Sequence, residues 1–352
     1  MNKPIWDGKK VLITGHTGFK GAWLSLVLKK FGSNLFGYSL PPKNDMCVYS
    51  ICNLEAVFDK EIFHDISDYA TLSHFISENK PDFIFHMAAQ PLVRKSYSNP
   101  AETFFTNVVG TLNLLEAVRL SKRKIPLINV TSDKVYENLN LGKSFKEDDK
   151  LGGNDPYSAS KACSELVTSS YGKSFSKDKL FVNTVRAGNV IGGGDYSEDR
   201  IIPDCVKAIS TKVKLEVRYK NAVRPWQHVL EPLFGYMLVC EQLNSQKMPV
   251  FQSWNFGPKL GSMKTVENIL EYLDVRYSDF NWTETSPQIG LEEAHLLSVD
   301  TQKARENLGW VPKWGFEETL KETFDWYDAA YSRKNMLKFT EAQIEKYISS
   351  GK

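Results

Sequence analysis

The sequence predicts an α/β protein: a doubly wound parallel sheet with helices on both faces, and a smaller, mixed α/β lobe on its C-terminal side. Three observations predict it. Short apolar runs alternate with helical spacings from Lys10 to Val190. The first run opens directly into a glycine-rich turn. After Gly192 the alternation stops and polar, glycine-rich and aromatic stretches take over. Strands separated by whole helices form right-handed crossovers, and these build parallel sheets.

The elements follow in order. "KVLITG" (10–15) is a strand and its turn. In "GAWLSLVLKKFG" (21–32), Trp23, Leu24, Val27 and Leu28 share a helical face, and Gly32 ends the helix. "NLFGYS" (34–39) and "EIFHD" (61–65) are the second and third strands. "DYATLSHFISENK" (68–80) is helical, and "PDFIFHMAA" (81–89) is the fourth strand. "PAETFFTNVVGTLNLLEAVRLS" (100–121) reads as one long helix, followed by strand five, "IPLINVTS" (125–132). A helix, "DPYSASKACSELVTSSYGKSF" (155–175), leads to strand six, "LFVNTVRAGNV" (180–190). Residues 1–192 are thus read as a dinucleotide-binding domain, with a returning segment near 223–240. Residues 193–352 are read as a smaller substrate lobe, its last helices near 316–348.

The 352 residues suffice for one large or two modest domains. With 44 basic and 42 acidic residues the net charge is +2, which gives no reason to expect nucleic acid or an anionic membrane. The five cysteines, Cys47, Cys52, Cys163, Cys205 and Cys240, show no C-x-x-C pair and read as scattered thiols of a reducing compartment. No metal site is expected. "MNKPIWDGKK" lacks an apolar signal core, and no run reaches the roughly 18 apolar residues of a membrane span. A cytoplasmic protein is the expectation.

Gly15, Gly18 and Gly21 in "TGHTGFKG" form G-x-x-G-x-x-G between a strand and a helix. The first allows the turn, the second a pyrophosphate's approach, and the third close strand–helix contact; the helix amino end faces the phosphates. This is the Rossmann-type signature of dinucleotide binding. Lys20 either adds a phosphate contact or is a solvated lysine. NAD binding would be signalled by an acid at the end of strand two, but "GYSLPPK" offers Ser39. Lys43 either favours a 2′-phosphate or is a surface charge. Asp65, with Ile66, sits where an adenine amine would be held, unless it only caps its loop.

Tyr157 and Lys161 in "YSASK" lie four apart and share a helical face. An ammonium beside a phenol lowers its pKa, and a phenolate can take a proton from a sugar hydroxyl while hydride leaves for a nicotinamide. Ser132, Asp133 and Lys134 stand at the end of strand five, where ligands of such sheets bind.

Together Gly15–Gly21, "HMAAQ" (86–90), Asn107 in "FTNVVGT", Ser132, Tyr157 and Lys161 resemble the extended short-chain dehydrogenase/reductase family, which works on nucleotide-diphosphate sugars. The resemblance implies NAD, cradled by Gly15, His16, Thr17, Gly18, Phe19, Lys20 and Gly21. It adds Asp65, Ile66, Ala88, Ala89, Gln90 and Asn107 to the cofactor site. Ser132 would hold the sugar's 4-hydroxyl beside Tyr157, and Lys161 would also hold the nicotinamide ribose. His16 and Lys20 would loosen the grip of the loop relative to small residues. Each turnover returns the cofactor oxidised, which also favours NAD over NADP.

An epimerase of this family needs only C4 oxidation and re-reduction. A 4,6-dehydratase must also take the C5 proton and expel the C6 hydroxyl, which requires a further base and acid. Its dehydratases carry an acidic pair after the Ser/Thr; here Asp133 is placed as acid and Lys134, with burial and Lys161 lowering its pKa, as base. The bland alternative is an ion pair at a strand end. The order Asp–Lys resembles the branch acting on CDP-glucose, as do "GHTGFKGAWL", "GNVIGGGDYSEDRIIPD", "RPWQHVLEP", "NFGP", "EAHLLSVD" and "LGWVPKW". By that resemblance Asn189 and Arg224 hold the substrate diphosphate and Arg200 adds a contact, while His228 and Asn255 line the pocket or are structural. Trp226, Trp254, Trp310 and Trp314 are core residues or, for one of them, a base-stacking surface. The resemblance also implies a homodimer through two helices of each subunit. A dinucleotide sensor without catalysis is the remaining class; the presence of both Tyr157 and Lys161 argues against it.

Overall fold

The computed structural model describes residues 3–139, 142–175, 177, 180–246, 251–259, 262–285 and 298–351. Part of "EAHLLSVD", residues 293–297, lies outside the described residues. The frame is a seven-stranded parallel sheet. Its strands are β1 (Lys10–Thr14), β2 (Asn34–Ser39), β3 (Lys60–Phe63), β4 (Phe83–His86), β5 (Ile125–Val130), β6 (Leu180–Ala187) and β7 (Ser253–Phe256). Their spatial order is β7-β6-β5-β4-β1-β2-β3, every pair parallel. The order reverses between β1 and β4, so the ligand crevice opens there, beyond the carboxyl ends.

Both sheet faces are covered. Val11 and Ile13 point into one core with Trp23, Leu24, Val27 and Leu28, which lie on α1 (Phe19–Lys30). Leu12, between them, points into the other with Leu72 and Phe75 of α2 (Tyr69–Asn79) and Leu114 and Val118 of α3 (Gly110–Leu120). Alternation along a strand separates the two sets. α4 (Pro156–Ser174) starts at Asp155, whose carboxylate accepts from the Ser158 amide at 2.9 Å, and Pro156 supplies the first helical position.

"SWNFGP" adds the seventh strand, β7, beside β6. α5 (Leu230–Asn244) also returns to pack on β5 and β6. The expected single helix over 100–121 is interrupted by a π-type turn at Phe105–Val109. That wide turn brings Asn107 inward, where its amide donates to the Gln90 carbonyl at 3.1 Å and to Ser160 at 2.9 Å. The C-terminal helix Met336–Ser349 packs on α1 of the sheet domain, with Thr340 beside Cys52. Trp226, Trp254, Trp310 and Trp314 are all buried core residues.

Candidate active site

Two elements deliver the chemistry. β5 ends at Val130, and Ser132 caps a single 3-10 turn, Asp133–Val135, its hydroxyl accepting from the Lys134 amide at 3.2 Å. α4 presents Tyr157 and Lys161 from the facing side. The two meet: the Ser132 hydroxyl donates to Asp133 Oδ1 at 3.1 Å and also hydrogen-bonds the Tyr157 phenol. Lys134 Nζ donates to the same Asp133 oxygen at 3.2 Å. The ion pair anticipated as the bland alternative therefore exists, and it lies against the Tyr157 phenol.

Asp133 is 2 % exposed, and its Oδ2 has no partner among the described residues. A buried acceptor left so costs about 1–3 kcal/mol. Gly188, just before Asn189, leaves room for it: a Cβ there would stand 2.9 Å from Oδ2. An oxygen kept free at such a cost suits a group that must meet a substrate hydroxyl.

The lysines differ from the sequence expectation. Lys161 Nζ donates to the Val130 carbonyl at 3.0 Å. Burial lowers it to about 8, with Glu165 opposing. Tyr157 is not lowered: burial raises it, while the Ser132 hydrogen bond and the charges of Lys134 and Arg200 pull the other way. The ammonium that acts on the phenol here is that of Lys134, because the Lys161 chain runs down to the strand end. Lys134 is itself 34 % exposed. Lys20 is the lysine brought near neutrality, to about 7, by burial and by Arg200. Its neighbours Asp133, Lys161 and Lys134 place it at this site.

The glycine loop fits a dinucleotide. Gly15 has φ +75°, and a Cβ on it would stand 2.6 Å from the Ala88 amide nitrogen. A Cβ on Gly21 would lie 2.2 Å from the Gly15 carbonyl oxygen. The loop is thus as close to β4 and α1 as backbone allows, with Gly18 at the helix amino end. Thr17 bonds the Ser39 hydroxyl at 2.8 Å, tying the loop to the end of β2. Asp65 keeps one carboxylate oxygen on the Ser67 amide at 2.8 Å, which is the loop cap, and Ile66 is buried behind it.

Four of the candidate residues are engaged within the fold. His16 is fully buried, bonded to Glu61 at 2.8 Å and ringed by Tyr49, Phe58 and Phe63; its side chain turns away under β2, where Gly37 leaves it space. Asn107 spends its amide on both backbone groups of Gln90 and on Ser160, so it braces the loop after β4. His228 is buried between Trp23 and Trp314 and accepts from the Leu230 amide at 3.3 Å. Burial alone lowers it to about 3, so it is neutral core. Asn255 is fully buried on β7, holding the Phe145 carbonyl at 2.9 Å and accepting from Tyr136 at 2.7 Å. It lines no pocket. Arg200 is held by Asp195 at 2.9 Å, yet its charge is felt by Lys20 and Tyr157, so it faces the cleft. Arg224, on the short strand Val223–Pro225, reaches the Val223 carbonyl at 3.0 Å.

Sequence reasoning missed Tyr236. This fully buried phenol on α5 has no hydrogen-bond partner among the described residues and is raised by burial, Asp133 and Tyr157. Its position inside an apolar helix gives no sequence signal.

Comparison with known proteins agrees with this geometry. Residues 12–323 match the family described as GDP-mannose 4,6 dehydratase. A CDP-glucose 4,6-dehydratase of Salmonella typhimurium is 41% identical over 99% of both chains. A dTDP-glucose 4,6-dehydratase of Xanthomonas campestris is 28% identical, covering 90% of this chain and 92% of its own. Among solved structures, a UDP-glucose 4-epimerase of Thermotoga maritima superposes with a TM-score of 0.80 at 23% identity, over 92% of this chain and 99% of its own. A dTDP-glucose 4,6-dehydratase of Streptomyces venezuelae with NAD bound gives 0.78 at 23%, over 93% and 99%. These likenesses establish the fold.

Proposed function

The chain belongs to the GDP-mannose 4,6 dehydratase family, and from that membership we propose that it is an NAD-dependent CDP-glucose 4,6-dehydratase, forming CDP-4-dehydro-6-deoxy-D-glucose and water. The observation that carries the reading is Ser132, Asp133 and Lys134 in contact with one another and with Tyr157. The nucleotide is supported by the Salmonella relative, at 41% identity over the whole chain.

NAD, held by the Gly15–Gly21 loop, would supply the hydride acceptor for C4 and the hydride donor for C6. Tyr157 accepts the O4 proton while Ser132 holds that oxygen. The new C4 ketone acidifies the C5 hydrogen; Lys134 passes its proton to Asp133 across their 3.2 Å contact and, as the free amine, takes the C5 proton. The C6–O bond breaks as Asp133 gives the proton it received to the departing oxygen, which leaves as water. Lys134 then returns its proton to C5. The Asp133–Lys134 pair is left one proton short and Tyr157 one in excess; Ser132, bonded to Asp133 and to Tyr157, is the path that resets them. Asn189, Arg200 and Arg224 are read as the diphosphate contacts, since guanidinium forks and an amide suit phosphate oxygens. Residues 193–352, less β7 and α5, are read as the lobe that brings the two arginines, while Asn189 comes from the end of β6.

A homodimer is part of the reading. Support comes from apolar side chains left exposed along the helical run to α3 and on α4: Phe105, Leu112 and Leu166. Sedimentation should give twice the 40.0 kDa chain mass, and a monomer at working concentration would overturn it. A cytoplasmic location is also proposed, supported by free thiols at Cys47, Cys52, Cys163, Cys205 and Cys240. Among the described residues no helix is long and apolar enough to cross a membrane.

The deciding experiment incubates the purified protein with NAD and, separately, CDP-, dTDP-, UDP- and GDP-hexoses, and follows loss of one water by mass spectrometry. Water lost from CDP-glucose alone is expected. Dehydration of another nucleotide sugar would overturn the substrate, and a C4 epimer without water loss would overturn the reaction.

A further inference from the structure

A buried ion pair lies behind the site and enters no step above. Glu165 on α4 and Arg186 on β6 are 1 % and 2 % exposed, and the guanidinium grips both carboxylate oxygens at 2.8 Å. Arg186 holds Glu165 below the usual carboxylate range against its burial. A buried pair is often no more stabilising than an apolar one, so its retention asks for another reason.

Its other contacts supply one. The Thr131 hydroxyl donates to Glu165 Oε1. Arg186 Nη1 donates to the Tyr136 hydroxyl at 2.8 Å, and its guanidinium lies 4.9 Å from the centre of that ring. Tyr136 is further fixed by the Asn255 amide oxygen at 2.7 Å and by stacking on Phe145. Thr131 and Tyr136 immediately bracket residues 132–135. The segment that carries Ser132, Asp133 and Lys134 is therefore fastened at each end to one half of the same ion pair. Glu165 also stands one turn beyond Lys161 on α4. The pair locks the acid–base segment in register with the helix that carries the phenol.

We infer that Glu165 and Arg186 are positioning residues for the elimination step, acting through Thr131 and Tyr136 to aim Asp133 and Lys134. Elimination is singled out for a mechanical reason. Tyr157 and Lys161 belong to a long, well-packed helix, whereas Asp133 and Lys134 ride on one 3-10 turn with little rigidity of its own. Loosening the ends of that turn moves Asp133 and Lys134 most; it also disturbs Ser132 at the base of the turn, but the proton acceptor of the C4 step, Tyr157, and Lys161 stay in place. The inference rests on the dehydratase reading.

The test removes the ties and spares the pair: Thr131→Val with Tyr136→Phe. With CDP-glucose, C4 oxidation is followed by the absorbance of reduced nicotinamide in a single turnover. Elimination is followed by water loss and by solvent deuterium entering C5. Elimination should fall roughly 10- to 100-fold and oxidation less than about threefold, so reduced cofactor accumulates. Thr131→Ser, which restores the hydroxyl, should recover the parent ratio. Should the double variant fail to fold, Thr131→Val alone should shift the ratio in the same direction, by roughly threefold. A merely structural role would lower both steps together; that outcome, or an unchanged ratio, overturns the inference while leaving the functional reading intact. If the parent protein itself dehydrates no CDP-glucose, the functional reading falls and this inference with it.

Discussion

Replacing Asp133 with asparagine should uncouple the two halves of the reaction. Asparagine keeps the size and planarity of the side chain, and its Oδ1 can still accept from Ser132 and Lys134, the contacts the carboxylate makes at 3.1 and 3.2 Å. What it lacks is a proton for the departing C6 oxygen. Loss of a general acid costs roughly 10²–10⁴-fold, and that loss should fall on water elimination. C4 oxidation should persist, because Tyr157, Ser132 and Lys161 are unchanged. Under turnover Asp133→Asn should therefore hold its cofactor largely reduced and release little product, seen by nicotinamide absorbance and by mass spectrometry of the sugar nucleotide. Dehydration at the parent rate would show that the acid is another group. The free Oδ2 sharpens the expectation. It has no internal contact to lose, so the substitution should leave stability close to the parent's, and a thermal melt would separate the chemical effect from an unfolding one. Gly188 guards the same oxygen: an added Cβ would stand 2.9 Å from Oδ2, a contact that real Cβ atoms avoid.

What was legible in the sequence follows from how local each signal is. The glycine loop was legible because backbone clearance is written in single residues; Gly15 and Gly21 leave no room for a Cβ. The order Ser132-Asp133-Lys134 was legible because consecutive residues at a strand end must share one site. Spacing put Tyr157 and Lys161 on one face, but it could not say where a long side chain goes. Lys161 reaches the Val130 carbonyl, and the neighbouring charge on the phenol is that of Lys134. For His228 and Asn255 the sequence left pocket-lining and structural roles both open, for a related reason. Their segments approach the site, while the residues themselves point into the core and to β7 contacts set by chain pairing far away in sequence. His16 turns under β2 because Gly37, a residue of a different strand, leaves the space. The wide turn at Asn107 and the seventh strand depend likewise on partners remote along the chain. Non-local pairing is what one sequence hides.

Tyr157→Phe should stop the reaction earlier than any change at Asp133. Without the phenol hydroxyl no group takes the O4 proton, so C4 is not oxidised. Without the C4 ketone the C5 hydrogen is not acidic, and Asp133 and Lys134 have nothing to act on. Oxidation should fall toward the upper end of the roughly 10²–10⁴-fold range for a lost acid–base group, with neither reduced cofactor nor dehydrated sugar accumulating. That pattern is the opposite of Asp133→Asn, so the pair of variants orders the steps. The pH profile tests the environment of the phenol. Burial raises Tyr157, which opposes its work as a base near neutrality; the charges of Lys134 and Arg200 offset the burial. Lys161 acts not on the phenol but, in this reading, on the ribose of the bound nicotinamide, and it holds that ribose as a charged donor only while protonated. Its ammonium, lowered to about 8 by burial and held up by Glu165, carries that charge below about pH 8 and loses it above. The rate of C4 oxidation should therefore decline as pH rises through about 8, although the phenol alone would ionise more readily there. Lys161→Met should be slow at all pH values and lack that alkaline fall. An oxidation rate that kept rising beyond pH 8 in the parent enzyme would mean that phenolate formation, and not the charge on Lys161, limits the step. Oxidation at the parent rate in Tyr157→Phe would remove the phenol from the mechanism altogether.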